Sequence, residues 1–411
     1  MSDIQELPEL PPTRWTRKCL RSKRMTRWFL RSEVLPMVAL SRHDVVARGR
    51  VTTWLPETTM ACHPVEAAVG DVRILRACRP DDRMHPAVVH RLIKGATVKG
   101  LSDLIYVGRH VLHHDMIKLM WDRLPEEYLP GTVVDVRKGA FTCPLITARA
   151  HHLSSALSLL GATAPNYAHW LTEILPKAVL WARMGYGADV PLLVDAGLHA
   201  NIMRSLELVL PERQKVLLVP RRQSVRVDRL HHLSSPGHIP FEPRAPDGLQ
   251  RSHGTFSASA LRMTVDAIKA RLGLSEDEPQ DQVLFIRRNS GGRNVLNQPE
   301  LDAFVASKGW QVVAPEKLTF DEQVRVFHRA RMVIGPTGAA MANMVFARPG
   351  CRMGIMMSTH RATPYFYWHN LADSLGVRVE YILCEPEAGC PQGVHSNFTV
   401  PVEAMRRAYE A

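Results

Sequence analysis

Between residues 257 and 383 short apolar runs alternate with helix-length stretches, and this alternation constrains the fold more than any other feature. Helix 257–272 leads to the strand "VLFI" (283–286), helix 298–308, the strand "WQVVA" (310–314) and helix 320–331. Strand 332–334, helix 338–347, the strand "RMGIMM", helix 364–375 and a last strand, "VRVEYIL", complete the series. Asn297 with Glu300, and Thr319 with Glu322, have capping-box spacing at two helix starts. Strands joined through helices by short connections form a parallel sheet with right-handed crossovers. All the strand–helix loops then lie at one edge of the sheet, where ligands of such folds bind.

The groups gathered at that edge follow from the order of the elements. Arg287 and Arg288 end the first strand, in "FIRRNSGGR", and Glu316 follows the second, in "APEK". Gly335, Pro336, Thr337 and Gly338 follow the third, in "GPTGAAMANMVFARPG", and Ser358, Thr359 and His360 follow the fourth. Glycine permits close backbone approaches, and a helix start presents unpaired N–H groups and positive partial charge. Two arginines beside such a turn suit a multiply charged anion, with the carboxylate placed to take hydroxyl donors. The plainer alternative is a tight strand–helix connection that only needs small residues. No G-x-x-x-x-G-K-[ST] phosphate loop is present, and "GYGADV" (185–190) has too few glycines for a dinucleotide fingerprint and reads as a helix C-cap. No D-x-D triplet occurs. A diphosphate bound without metal needs fixed cations and backbone N–H groups instead.

At 411 residues the chain is long enough for two cores. Upstream, "NYAHWLTEILPKAVLWARMG" reads as one helix, "VPLLVDA" as a buried strand, "LHANIMRSLELVL" as a helix, and "KVLLVP" and "VRVDRLHHL" as strands. Residues 236–255, rich in Pro and Gly, read as a crossing between domains or a loop beside it. Residues 51–150 give little beyond "TVVDVRKGAF", a strand and turn. No apolar run approaches the roughly 20 residues of a spanning helix, and the acidic start "MSDIQELPEL" has no signal-peptide core. The seven cysteines form no C-x-x-C pair, which fits a reducing compartment rather than a disulfide or zinc scaffold. The adjacent histidines at 113–114, 151–152 and 231–232 are not spaced as metal ligands.

Net charge is +12, and residues 14–31, "RWTRKCLRSKRMTRWFLR", contain eight Lys/Arg and no acid. Interleaved Trp15, Leu20, Trp28 and Phe29 suit an anionic membrane surface, although a solvated arm and nucleic acid are alternatives on charge alone.

From "VLFIRRNSGGRNVLNQPEL" through "TFDEQVRVFHRARMVIGPTGAAMANMVFARPG" the sequence resembles the glycosyltransferase family 61 domain. That family's run has an R-R pair, a Glu before "LTF", an E-Q-V helix and G-x-H-G-A-x-x-x-N-x-x-F. "NYAHWLTEILPKAVLW" resembles its upstream N-[YF]-x-H-[WF]-L-x-[DE]-x-L-P motif, so the likeness covers roughly residues 160–385. One departure is Thr337, where the family usually has His. The resemblance implies an α/β GT-B fold, with two Rossmann-like domains facing a central cleft. The expected division is a basic arm (1–50), an acceptor-side domain (51–250), a nucleotide-sugar-binding domain (251–395) and a tail helix (396–411).

It also implies metal-independent, inverting transfer of a sugar from a nucleotide-sugar donor, expected to be UDP-linked, with no further cofactor. The expected donor-site residues are Arg287, Arg288, Glu316, Gly335, Thr337, Gly338, Ala339 and Asn343. Single displacement needs a base for the acceptor hydroxyl. His169 and Glu173, four apart on one helix face, are the candidates, either serving as base while the other orients it. A local helix pair without catalytic role is the alternative. Trp368 and His369 are read as core or as acceptor-groove lining. The expected setting is cytoplasmic, with 14–31 touching the inner membrane and a glycan or lipid-linked acceptor of bacterial surface-polysaccharide synthesis. A catalytically silent sugar-nucleotide-binding scaffold is the competing reading. Nucleic acid is not the expected partner.

Overall fold

The computed structural model describes residues 3–11, 34–42, 50–60, 63–71, 83–116, 142–144, 149–185, 188–239, 254–288, 292–359, 366–389 and 396–409. The basic stretch 14–31, the "TVVDVRKGAF" run, most of the 236–255 segment and His360 lie outside them. The chain divides into two units, Met1–Pro56 with Ala87–Pro236, and Glu57–Pro86 with Gly237–Ala411. The second unit therefore includes a stretch, Glu57–Pro86, that the contiguous 51–250 expectation assigns to the first.

In the second unit five parallel strands lie in the order Gln311–Val313, Gln282–Ile286, Ala330–Pro336, Arg352–Ser358, Arg378–Pro386. The first strand in sequence thus lies between the second and the third, so the winding direction reverses between Gln282–Ile286 and Ala330–Pro336. Open α/β sheets bind ligands at the carboxyl ends of the strands at such a switch point. Glu66–Val69 extends the sheet in parallel beside Arg378–Pro386, which the sequence does not suggest, and Phe398–Thr399 pairs antiparallel at its end. Alternate strand residues Phe285, Met332, Ile334, Met356 and Ile382 face helices Gln298–Ser307 and Val402–Ala408, forming one buried cluster with Leu301, Phe304 and Met405. The tail expected as helix from 396 is thus first a strand and then a helix.

The capping box at Thr319 is complete: its hydroxyl accepts the Glu322 N–H at 3.3 Å, and Glu322 Oε2 accepts the Thr319 N–H at 2.8 Å. Asn297 departs from expectation. Its side chain makes no cap; Oδ1 accepts from Val400 N–H at 2.9 Å and Nδ2 donates to Val400 O at 2.8 Å, anchoring the tail.

In the first unit an eleven-stranded mixed sheet contains a parallel run, Asp3–Glu6, Lys215–Val219, Leu192–Asp195, Ala150–Ser158 and Ser224–Leu233. Val88–Lys99 continues it antiparallel to Ser224–Leu233, followed by the hairpin Ile105–Val107 and His110–His113. The mixed pairing departs from a uniform Rossmann-like sheet. Two segments of the expected arm belong to it, since Val34–Ala39 pairs parallel with His110–His113 and antiparallel with Thr142–Pro144, and Asp3–Glu6 forms the opposite edge beside Lys215–Val219. Val227, Leu230, Ile93, Leu157 and Leu193 are fully or almost fully buried here.

Histidines form part of this interior. His90 and His231 stack at 5.2 Å with Nε2 and Nδ1 3.0 Å apart, Trp54 stacks on His90, and Trp181 meets His231 edge-on. Burial pushes the His90 imidazole below its ordinary value, and burial together with His90 and Arg229 holds His231 down to about 4.

Among the described residues no helix is long and apolar enough to cross a membrane.

Candidate active site

The residues expected at the donor site lie at the carboxyl ends of the strands in the second unit, several of them at its switch point. Arg287 and Arg288 leave the strand as successive residues of an extended chain, so their side chains diverge. Arg287 pairs with Asp302 on helix Gln298–Ser307 and remains about 44% exposed. Arg288 turns the other way. Its Nε donates to Gly292 O at 3.0 Å and its Nη1 to Thr337 O at 3.4 Å. The expected pair is therefore split, and only Arg288 lies at the turn.

The two glycines of that turn have separate reasons. A Cβ on Gly335 would lie 2.6 Å from Ile286 Cβ and 2.9 Å from Ile286 O, so this glycine lets two neighbouring strands pack. A Cβ on Gly338 would lie 1.9 Å from Arg288 Nη1, so this glycine makes room for the guanidinium. Gly338 is extended (φ 165°, ψ 171°), a conformation open to any residue, and space alone explains it. The segment after it is a 3-10 helix, Ala339–Phe346, where an α-helix is expected.

Burial lowers the Arg288 pKa, with Arg293 adding to the effect and Tyr367 and Glu316 opposing it. A guanidinium stays charged throughout the neutral range. Exposed Glu316 thus shares the local field of Arg288, as the sequence suggests. Arg293, which no motif singles out although it ends the same "RRNSGGR" run, sits in the left-handed region at φ 59°. A non-glycine residue held there marks a constrained turn. Arg288, Arg293, Glu316 and partly exposed Ala339 can present two cations, a carboxylate and backbone N–H groups to one ligand.

Two expected donor contacts are redirected inward. Thr337 is 3% exposed, and its hydroxyl accepts from Trp368 Nε1 at 2.9 Å and bonds Tyr367. In place of the usual family histidine, this position joins the turn to helix Phe366–Leu375. Asn343 is fully buried and donates to Gln323 Oε1 at 2.8 Å, while Gln323 donates to Pro315 O at 2.9 Å. Asn343 therefore braces the 3-10 helix from within, where a ligand contact is expected. Trp368 and His369 are buried, as the core reading has it; His369 Nε2 meets His63 O at 2.9 Å.

The acid–base candidates stand in the first unit. Asn166 caps their helix, accepting from Ala168 N–H at 3.0 Å. The expected single helix has three parts: α over Tyr167–His169, π over Trp170–Ile174 and α over Leu175–Arg183. Pro176 supplies the reason, because it has no N–H for the α ladder and its ring crowds the carbonyl four residues back. The widened turn closes instead with the Leu175 N–H donating to Trp170 O. Such π turns recur at functional sites. Trp170 Nε1 donates to Ser205 Oγ at 2.8 Å and fixes the turn against the next helix.

On this turn His169 Nδ1 and Glu173 Oε2 lie 2.9 Å apart, and each side chain is about 11% exposed. The pair is made, as the spacing predicts. With Nδ1 turned to the carboxylate, Nε2 is the nitrogen that can accept a substrate proton.

The paired histidines engage other partners: His151 bonds Pro8 O at 2.9 Å, His152 bonds Asp228 at 2.9 Å, and His113 bonds His114 O at 2.7 Å. Among the described residues no group of three or more His, Cys, Asp or Glu side chains is arranged to hold a metal ion.

Residues 167–354 match the family model described as Glycosyltransferase 61, a span that begins at the His169 helix and ends beyond the Gly338 turn. No curated protein matches the chain.

Proposed function

The chain carries a glycosyltransferase 61 domain and is a glycosyltransferase; from that premise we propose that it transfers a sugar from a UDP-linked donor to a glycan acceptor, with inversion and without a metal. The observation that carries the reading is Arg288, held against Gly338 at the sheet's switch point with Arg293 and Glu316 around it. Arg288, Arg293 and the N–H groups after Gly338 neutralise the departing diphosphate. Glu316 accepts hydroxyl donors of the ribose or sugar.

His169 is the base and Glu173 its orienting partner, an arrangement supported by the 2.9 Å bond at Nδ1. The acceptor O–H gives its proton to Nε2, its oxygen forms a bond to the anomeric carbon, and the bond to the diphosphate breaks with the electron pair leaving on phosphate oxygen. Glu173 stabilises the imidazolium that results. A GT-B arrangement of two Rossmann-like domains belongs to this proposal, as does a lipid-linked or surface-polysaccharide acceptor reached through the basic 14–31 segment from the cytoplasm.

The test is a thermal-shift screen of UDP, GDP, CMP and dTDP with the full chain, repeated with Arg288→Ala. A ligand at about 100 times its Kd stabilises by about 2.7 kcal/mol. One nucleotide raising the melting temperature, with the shift lost in Arg288→Ala, is the expected result. No shift from any nucleotide would reject nucleotide-sugar binding, and with it both the transferase reading and the silent sugar-nucleotide-binding alternative; a shift without sugar transfer would favour the silent one.

A further inference from the structure

Helix Phe366–Leu375 brings a phenol to the donor turn that the site described so far does not use. Thr337 is held from two sides. Its carbonyl accepts Arg288 Nη1 at 3.4 Å, and its hydroxyl accepts Trp368 Nε1 at 2.9 Å and bonds the Tyr367 side chain. Thr337 and Trp368 are buried, whereas Tyr367 keeps part of its surface exposed. Of these three side chains, Tyr367 is the one that can meet a ligand beside Arg288.

The tyrosine is braced in this place. A Cβ on Gly254 would lie 3.0 Å from Tyr367 Cβ and 3.0 Å from Phe256 Cζ, so the Gly254 backbone lies against the base of the tyrosine. Asn370, about one turn further along the helix, holds that backbone by donating to Gly254 O at 2.7 Å. The Tyr367 and Trp368 rings lie 4.1 Å apart. Towards the other end of the helix, buried Asp373 bonds His63 Nδ1 at 2.7 Å and Arg83 Nη1 at 3.4 Å. A donor fixed before the ligand arrives costs no reorganisation during the reaction.

An indole N–H can only donate, so the Thr337 oxygen is the acceptor of the Trp368 bond. The Thr337 hydrogen then has the Tyr367 oxygen as its acceptor, which leaves the phenolic hydrogen to donate to a third group. Burial pushes the phenol pKa up and outweighs Arg293, the Thr337 bond and Arg288, which pull it down. The phenol therefore stays protonated, a neutral donor beside two cations. Two guanidiniums and a hydroxyl together suit an anion. We propose that Tyr367 is a further binding and catalytic residue of the donor site, its O–H donating to a phosphate oxygen of the diphosphate that Arg288 holds, at the end of the donor series Trp368 N–H, Thr337 O–H, Tyr367 O–H. No proton is transferred; the hydrogen bond strengthens as the departing diphosphate gains charge. The inference rests on the proposed donor site at Arg288.

The experiment titrates UDP, GDP and dTDP into the full chain by calorimetry. The nucleotide that binds wild type is then compared across Arg288→Ala, Tyr367→Phe, Thr337→Val and the variant carrying both Tyr367→Phe and Thr337→Val. Tyr367→Phe keeps the ring, removes only the hydroxyl and binds about tenfold more weakly, the effect of one hydrogen bond to a charged group. Thr337→Val weakens binding as well, and the double variant binds no more weakly than Tyr367→Phe, because the threonine acts through the phenol. Losses that add overturn the donor series. Wild-type affinity in Tyr367→Phe, with binding lost in Arg288→Ala, rejects Tyr367 and leaves the donor site standing. Binding of none of the three nucleotides by wild type rejects the donor site itself, and Tyr367 with it. 31P NMR at saturation separates contact from distortion. A phosphate resonance of the bound nucleotide moves in Tyr367→Phe; unmoved resonances overturn the contact even where the variant melts below wild type.

Discussion

Gly335 and Gly338 stand three residues apart in one turn, and alanine at each separates folding from ligand binding. At Gly335 the new Cβ meets Ile286 Cβ at 2.6 Å and the Ile286 carbonyl oxygen at 2.9 Å. A backbone atom in a hydrogen-bonded strand cannot swing aside, so the strands must part. Overpacking of this kind costs about 3 kcal/mol, which lowers the melting temperature of a unit this size by about 6–12 °C. At Gly338 the obstacle is Arg288 Nη1 at 1.9 Å, the far end of a flexible side chain, and the extended backbone accepts alanine. Gly338→Ala therefore costs less than about 1 kcal/mol of stability. It does displace the guanidinium. If Arg288 holds the donor diphosphate, the lost charge-assisted hydrogen bonds are worth about 1.5–3 kcal/mol, or roughly a 10- to 150-fold weaker Kd. Urea melts and nucleotide titrations on both variants make the comparison. A stable Gly335→Ala protein would refute the strand-packing argument. Full nucleotide affinity in Gly338→Ala would refute the role given to the Arg288 position.

Three further outcomes follow from the same geometry. Arg287→Ala weakens nucleotide binding far less than Arg288→Ala and changes stability by less than about 1 kcal/mol, since the Asp302 pair is half exposed; equal losses in the two titrations would restore the expected arginine pair. Asp195→Ala leaves the Leu101 and Gly161 N–H groups without their acceptor and costs about 2–5 kcal/mol in a urea melt; an unchanged midpoint would reject this role of Asp195. His231, held near 4 in the folded protein, binds fewer protons folded than unfolded between about pH 4 and 6.5. Its contribution is full above pH 6.5 and lost as pH falls towards 4. Asp103 and Asp195, pushed up to about 6 and about 7, have the opposite sign: their contribution is present below pH 3.8 and lost as pH rises through those values. Melts from pH 7 to 4 should show a smaller acid loss in His231→Phe than in wild type, and parallel curves would exclude this histidine as a cause.

Features governed by neighbours along the chain are legible in the sequence itself. Thr319 and Glu322 cap a helix three residues apart, and His169 and Glu173 meet at the spacing of one helical turn. The strand–helix order of the second unit likewise follows from local apolar periodicity, and with it the loops that carry Arg288, Glu316 and Gly338. Two local signals are there but easily overlooked. Alternation along an extended chain already separates Arg287 from Arg288, and Pro176 already disrupts a regular α ladder.

Glycine spacing alone suggests a close approach at 335 and 338 but does not identify what approaches. Asn297 has the residue type and spacing of a cap, yet Val400, over a hundred residues away, takes its side chain. Thr337 and Asn343 look like ligand donors in a motif, yet Trp368 and Gln323 occupy them. By itself the sequence determined the parallel sheet of the second unit, the loops at its ligand edge and the His169–Glu173 pair, because each depends on periods of a few residues. Only the tertiary structure decided which side chains in those loops remain available. A buried polar group is bound to whichever partner the packed chain brings within about 3 Å, and that partner is set by strand order and packing rather than by spacing.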